Sequence, residues 1–169
     1  MRLGELLALR ETDVDLAAGL LHIRHSLSRA GKEPVFGRPK TDRGLRTVLL
    51  PEAVKAIRLA ILWKKKKKLR TGQKFRDSGL VFCGPRGRPI NSSNLRNRDH
   101  LPRLERLKLP RIRPHDLRHS HVTQLIAAGV DARTVADRLG HSSPSFTLTR
   151  YSHAVAQAQS QAAAVANIS

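Results

Sequence analysis

Residues 114–141 constrain this chain more than any other stretch. Pro114 stands where a helix can begin, because a first-turn proline forfeits no hydrogen bond. From His115 onward Leu117, Val122, Leu125 and Ile126 are expected to face inward, and Gly129 supplies a left-handed stop. Asp131 then caps a second helix, with Val135 and Leu139 apolar, that ends at Gly140. The polar residues on this frame matter as much as the apolar ones. His115 and Arg118, three apart, project from one helix face. His141 follows the second glycine, and Tyr151, the sole tyrosine, lies ten residues further on. Two imidazoles, a guanidinium and a phenol converging on one spot suit a phosphodiester. Arginine clamps non-bridging oxygens bidentately, and a phenol becomes a nucleophile when a base or a clamped phosphate assists it.

Charge points the same way. Across 169 residues, 32 Lys and Arg stand against 13 Asp and Glu, a formal +19. Such an imbalance implies a polyanionic partner, most often nucleic acid. It identifies the partner class and not the activity, since a ribosomal or chromatin-like packing protein would carry similar charge. Length allows one domain, or a domain plus a tail, with a real core. The lone Cys83 rules out an intramolecular disulfide and a multi-cysteine zinc site, and fits a reducing cytoplasm. No run of about 18 apolar residues exists to span a membrane. The opening Met-Arg-Leu-Gly-Glu-Leu-Leu lacks the form of a signal peptide.

The remaining segments predict a mainly α chain with a small antiparallel β-sheet, an α+β class. Leu3 to Leu9 reads as a helical stub with so little lead-in that the chain is expected to start inside a larger architecture. Leu20 to Ile23 reads as a strand. Val35-Phe36 and Arg46 to Leu50 flank a turn-rich loop over 37–44, which puts Lys40 near the exposed tip of the sheet. Pro51 opens a helix that runs through about Trp63, and Lys64 to Lys68 read as its solvated end, able to add salt-sensitive affinity for DNA. Gly79 to Cys83 is a short buried strand or turn. Ser92 or Ser93 is expected to cap a helix from about Asn94 to Leu107. Ser143-Pro144 starts the helix that holds Tyr151, and an Ala/Gln/Ser-rich tail follows from Ala154.

Taken singly, the candidate residues say little. Arg2 and Glu5 fit a surface ion pair, Lys40 is one lysine of many, and Tyr151 could be a buried structural phenol. His115, His119 and His121 fit metal ligands by spacing, with only Asp116 nearby to assist.

Their order is the informative feature. Arg2-Leu3-Gly4-Glu5-Leu6-Leu7-Ala8-Leu9 is followed by Pro39-Lys40-Thr41 and Arg46-Thr47-Val48-Leu49-Leu50-Pro51. Val81-Phe82, His115-Asp116-Leu117-Arg118-His119-Ser120, Leu139-Gly140-His141-Ser142-Ser143 and Thr149-Arg150-Tyr151-Ser152-His153 come after. In this order the segments resemble the tyrosine recombinases of the phage-integrase family. The resemblance implies the DNA breaking-rejoining fold, with residues 1–153 as a catalytic domain lacking its lead-in and the N-terminal DNA core-binding domain. Residues 154–169 would be a helical tail exchanged between subunits. The implied activity is site-specific recombination through a 3′-phosphotyrosyl intermediate, here in truncated form. The implied roles make Arg2 and Arg118 the clamping arginines, Glu5 their buttress and Lys40 the acid for the leaving 5′ oxygen. His115 would shuttle the tyrosine proton, His141 would hydrogen-bond the phosphate, and Tyr151 would be the nucleophile. No cofactor or metal is implied. The expected partners are double-stranded DNA and further copies of the chain, as a tetramer on DNA, with no membrane and no small-molecule substrate. The expected location is the cytoplasm of a bacterium. A basic DNA-binding remnant without catalysis, and a type IB topoisomerase-like relaxer, are the competing readings.

Overall fold

The computed structural model describes residues 1–30, 33–39, 41–141, 145, 149 and 151, with Asp42 described by its backbone alone. Lys40, Ser143-Pro144 and residues 152–169 lie outside the described residues. So do the sheet-tip lysine, most of the helix expected to hold Tyr151, and the exchanged tail.

Helix α1 (Leu3–Leu7) comes first, then the short strand β1 (Val14–Asp15) and β2 (Leu20–Ile23). β3 (Ser26–Ala30), β4 (Glu33–Gly37) and β5 (Arg46–Leu49) follow. Among the described residues all strand pairings are antiparallel, in two separate sheets. One has the order β1-β2-β5, with Leu21 opposite Val48 and Ile23 opposite Arg46. The other is the β3-β4 ribbon, with Leu27 opposite Phe36. The expected sheet is therefore corrected in one respect. Val35-Phe36 pairs with Ser26 to Ala30, a strand that composition did not announce, and the 37–44 loop joins two sheets instead of closing one hairpin. The strand was hard to see because Ser28, Arg29 and Ala30 are exposed and β4 is exposed throughout, so the ribbon carries no apolar alternation.

The three-stranded sheet does alternate. Leu21, Ile23 and Val48 are buried with Leu9, Ile57 and Val81, and each such aliphatic side chain contributes roughly 1.5–3 kcal/mol by leaving water. The long helix α2 (Ala53–Thr71) lays Ile57 on this core. It runs past Trp63 through the whole lysine block. Four of those lysines lie on its outer sides, while Lys64 is turned inward and buried.

After a connecting segment that buries Phe75, Leu80 and Cys83, a continuous helical stretch begins with α3 (Ser92–Asn94). It passes through a wider turn over Leu95–His100 and ends as α4 (Leu101–Arg106). Its cap is Asn91, whose side chain accepts from the backbone N–H of Ser93 and Asn94, in place of the expected serine. Then come α5 (Pro114–Ala127) and α6 (Ala132–Leu139). Val122, Ile126, Val135 and Leu139 form a second core that includes Tyr151. Leu117 was expected inside and is half exposed instead, because it lies on the opposite side of α5 from Val122 and Ile126. Gly129 (φ +81°) and Gly140 (φ +66°) take the left-handed conformation at the two helix ends, and Asp131 caps α6 through the N–H groups of Arg133 and Thr134.

Candidate DNA-cleavage site

The site lies on the seam between the two cores and is organised by the last turn of α6. A helix C-terminus leaves carbonyls unsatisfied and carries partial negative charge, so cations gather there. Three arginines from distant parts of the chain dock on three successive carbonyls. Arg46 Nε donates to Arg138 O at 2.9 Å, Arg118 Nη2 to Leu139 O at 2.6 Å, and Arg2 Nη2 to Gly140 O at 3.1 Å. Only glycine fits at position 140. A Cβ there would lie 2.8 Å from Arg43 O and 2.9 Å from Arg46 Nη1, besides the strain of a positive φ.

Glu5 holds two of these arginines from the other side. Its carboxylate accepts from Arg46 at 2.8 and 3.2 Å, from the Arg2 guanidinium at 3.0 Å and from the Arg2 backbone N–H at 2.7 Å. Burial opposes its ionisation, but the hydrogen bonds from Arg46 and Arg2 outweigh burial and hold its pKa below the ordinary carboxylate value. The residue lies on α1 where the ribbon presses close: a Cβ on Gly4 would meet Leu27 O at 2.8 Å.

Arg118 is different. It is 7% exposed, and among the described residues no carboxylate bonds to it. Its Nη1 is buried and has no hydrogen-bond partner among the described residues. Burial first, then the positive charge of Arg2, lowers its pKa to about 10. His141, 8% exposed, follows Gly140, and its backbone N–H closes the α6 cap on Ala136 O at 3.0 Å. Burial, then Arg118 and Arg2, hold its pKa down to about 4, so near neutral pH its ring is uncharged.

The Tyr151 hydroxyl meets α5. Nδ1 of His119 lies 2.5 Å from Oη, and the two rings are 5.8 Å apart between centroids. His115, which the sequence marked as the tyrosine's proton partner, lies one step further out. It is exposed, and its ring makes an edge contact with His119 at 4.7 Å. Burial, then His119 and Arg118, lower its pKa. Among the described residues, no group of three His, Cys, Asp or Glu side chains could hold a metal ion.

The structure thus gathers Arg2, Glu5, Arg118, His141 and Tyr151 around the end of α6, with His115 at the rim. Lys40 lies outside the described residues. Two participants escaped sequence reasoning. Arg46 sits at the start of β5 and reads as an ordinary strand-end cation until Glu5 is known to be buried. His119 did carry a signal, since its i, i+4 spacing from His115 puts both imidazoles on one side of α5.

Comparison with known proteins agrees with this architecture. Among solved structures, the integrase of transposon Tn1549 in complex with transposon right-end DNA superposes with a TM-score of 0.77 at 23% identity. That match covers 98% of this chain and 55% of that one. The XerH site-specific recombinase, bound to a palindromic difH substrate, gives a TM-score of 0.62 at 25% identity over 99% of this chain and 42% of its own. The fold is therefore that of tyrosine recombinase catalytic domains. The model of the phage integrase family matches residues 1–158, and the chain belongs to that family. A tyrosine recombinase XerC-like protein of Caldanaerobacter subterraneus is 28% identical over 180 residues, covering 99% of this chain and 46% of that protein. The ICEBs1 integrase of Bacillus subtilis is 30% identical over 154 residues, covering 90% and 41%. The chain spans less than half the length of these curated relatives.

Proposed function

We propose that this chain is the catalytic part of a site-specific DNA recombinase, which cleaves and rejoins double-stranded DNA through a 3′-phosphotyrosyl intermediate. The observation that carries the reading is Arg118: a buried guanidinium whose Nη1 donor has no partner among the described residues, beside Arg2, His141 and Tyr151. A buried, uncompensated cation is costly to keep, and a DNA phosphate supplies the anion it lacks. Arg2 and Arg118 then neutralise charge growing on the non-bridging oxygens. Glu5 fixes Arg2, and the neutral His141 donates to the phosphate. Tyr151 Oη attacks phosphorus in line, and Lys40 protonates the departing 5′ oxygen. A partner strand's 5′ hydroxyl reverses the step. His115, exposed beside His119, serves proton exchange at the rim.

Residues 1–153 form the catalytic unit in this reading, and residues 154–169 pass to a neighbouring copy in a tetramer on DNA. The working location is the bacterial cytoplasm, and no helix among the described residues is long and apolar enough to cross a membrane.

The test is covalent capture. A nicked suicide duplex carrying the end sequences of the chain's own element should yield a protein–DNA band on a denaturing gel, and Tyr151→Phe should remove it. A chain that shifts this duplex with steep salt dependence, yet forms no adduct, would be a binding remnant. Site-independent relaxation of supercoiled plasmid would instead mark a topoisomerase.

A further inference from the structure

We propose that His119, and not His115, is the residue that accepts the Tyr151 proton as the phenol attacks. The proposal rests on the recombinase reading and adds a catalytic residue to it. The geometry is direct. In the tautomer that carries its hydrogen on Nε2, His119 Nδ1 is an acceptor, and it lies 2.5 Å from the only phenol oxygen in the chain. That is hydrogen-bond reach for the proton to be moved. His115 has no such contact with the hydroxyl; its ring lies edge-on to His119 at 4.7 Å and is exposed.

The helix explains why the pair is available. His115 and His119 are one turn apart on α5, and the intervening turn carries Arg118 inward to the Leu139 carbonyl. One turn of helix therefore presents a phosphate-directed guanidinium and a tyrosine-directed imidazole side by side. Asp116, three residues before His119, is ionised and held near 2, first by its hydrogen bonds from Arg113 and with a smaller contribution from His119. In the step itself, the Oη–H proton passes to Nδ1 while an Oη lone pair forms the bond to phosphorus. The bond from phosphorus to the 5′ oxygen breaks, and that oxygen keeps the pair and takes a proton from the Lys40 ammonium. In rejoining, the His119 imidazolium returns its proton to the departing phenolate.

Two substitutions in the whole chain separate proton transfer from mere positioning, read on the same suicide duplex. His119→Ala removes both acceptor and base. His119→Gln keeps an oxygen able to accept the hydrogen bond but cannot take the proton. Both should slow adduct formation by about 10²-fold or more while gel-shift affinity stays put, and added imidazole should restore a measurable part of the rate in His119→Ala. His115→Gln should cost less than either. A 13C label at the ring carbon bearing the hydroxyl of the lone tyrosine gives an independent reading without DNA, and its NMR resonance should move in both variants. Wild-type rates in His119→Gln, or in both variants, overturn the proton-acceptor role while leaving the recombinase reading intact. An unmoved resonance in His119→Ala overturns the contact itself. Absence of any adduct from the wild-type chain, with Tyr151→Phe indistinguishable from it, sinks the functional reading beneath.

Discussion

Two of the buried cations among the described residues, Lys64 and Arg118, are treated in opposite ways. Lys64, turned inward from the lysine block of α2, is 4% exposed. It is fully compensated: Glu11 Oε1 lies in direct contact, Asp77 Oδ1 accepts at 2.9 Å and Leu80 O at 3.3 Å. Burial works against its charge, but the two carboxylates more than offset that and raise its pKa. Arg118 is nearly as buried, and among the described residues it bonds to one neutral carbonyl and keeps a donor open. Glu5 could have compensated it but is taken by Arg46 and Arg2. The contrast separates a charge that holds the fold from a charge kept ready for an external anion.

The sharpest way to break this comparison is Arg118→Met. Adduct formation should fall by roughly 10³-fold or more, while the urea midpoint holds or rises, because an apolar chain replaces an uncompensated charge. A loss of several kcal/mol would show Arg118 to be structural, like Lys64.

The next effect is on pH dependence. His141 has a folded pKa of about 4 against an ordinary 6.5, so between those values the unfolded chain binds a proton that the native chain does not. Its stabilising contribution is complete above pH 6.5 and is lost as pH falls to about 4, an effect of up to about 3 kcal/mol. Denaturation curves from pH 7 to 4 should show this loss, and His141→Gln should flatten it. Equal slopes in both proteins would mean that neither burial nor the neighbouring arginines hold the His141 pKa down.

Lys64→Met should destabilise by about 2 kcal/mol in urea and leave the adduct yield per folded molecule unchanged. The cost is below that of breaking a wholly buried pair because Glu11 and Asp77 are each about a third exposed. Smallest is the acid limb. The hydrogen bond from Lys64 is the largest cause holding the Asp77 carboxyl at about 2. Its stabilisation is present above pH 4 and lost between about 4 and 2. That slope should be shallower in Lys64→Met, and an unchanged slope would break the assigned pairing.

Local patterns wrote part of this molecule directly into the sequence. Asp131 and Gly140 bound α6 because cap chemistry depends on neighbours two or three residues away. The sheet strand at Leu20 to Ile23 shows in its own alternation, and the ordered segments from Arg2 to Tyr151 carried the family. The β3-β4 ribbon did not show, because exposed on its outer residues it has no apolar period to read. Lys64 looked like its four neighbours, since helical phase against a particular core, and not residue type, turned it inward.

The residue kinds at the site were therefore set by sequence, and their assignments to one another by tertiary structure. Nothing local says that Glu5 is shared by Arg2 and Arg46, that three arginines divide three successive carbonyls of α6, or that the phenol meets His119 before His115. Apart from the Arg2–Glu5 pair, each is a contact between segments separated by tens of residues, decided by how the two cores meet. Hydrogen bonds reach only about 3 Å, so a small shift in that packing would change every partner while leaving each motif intact.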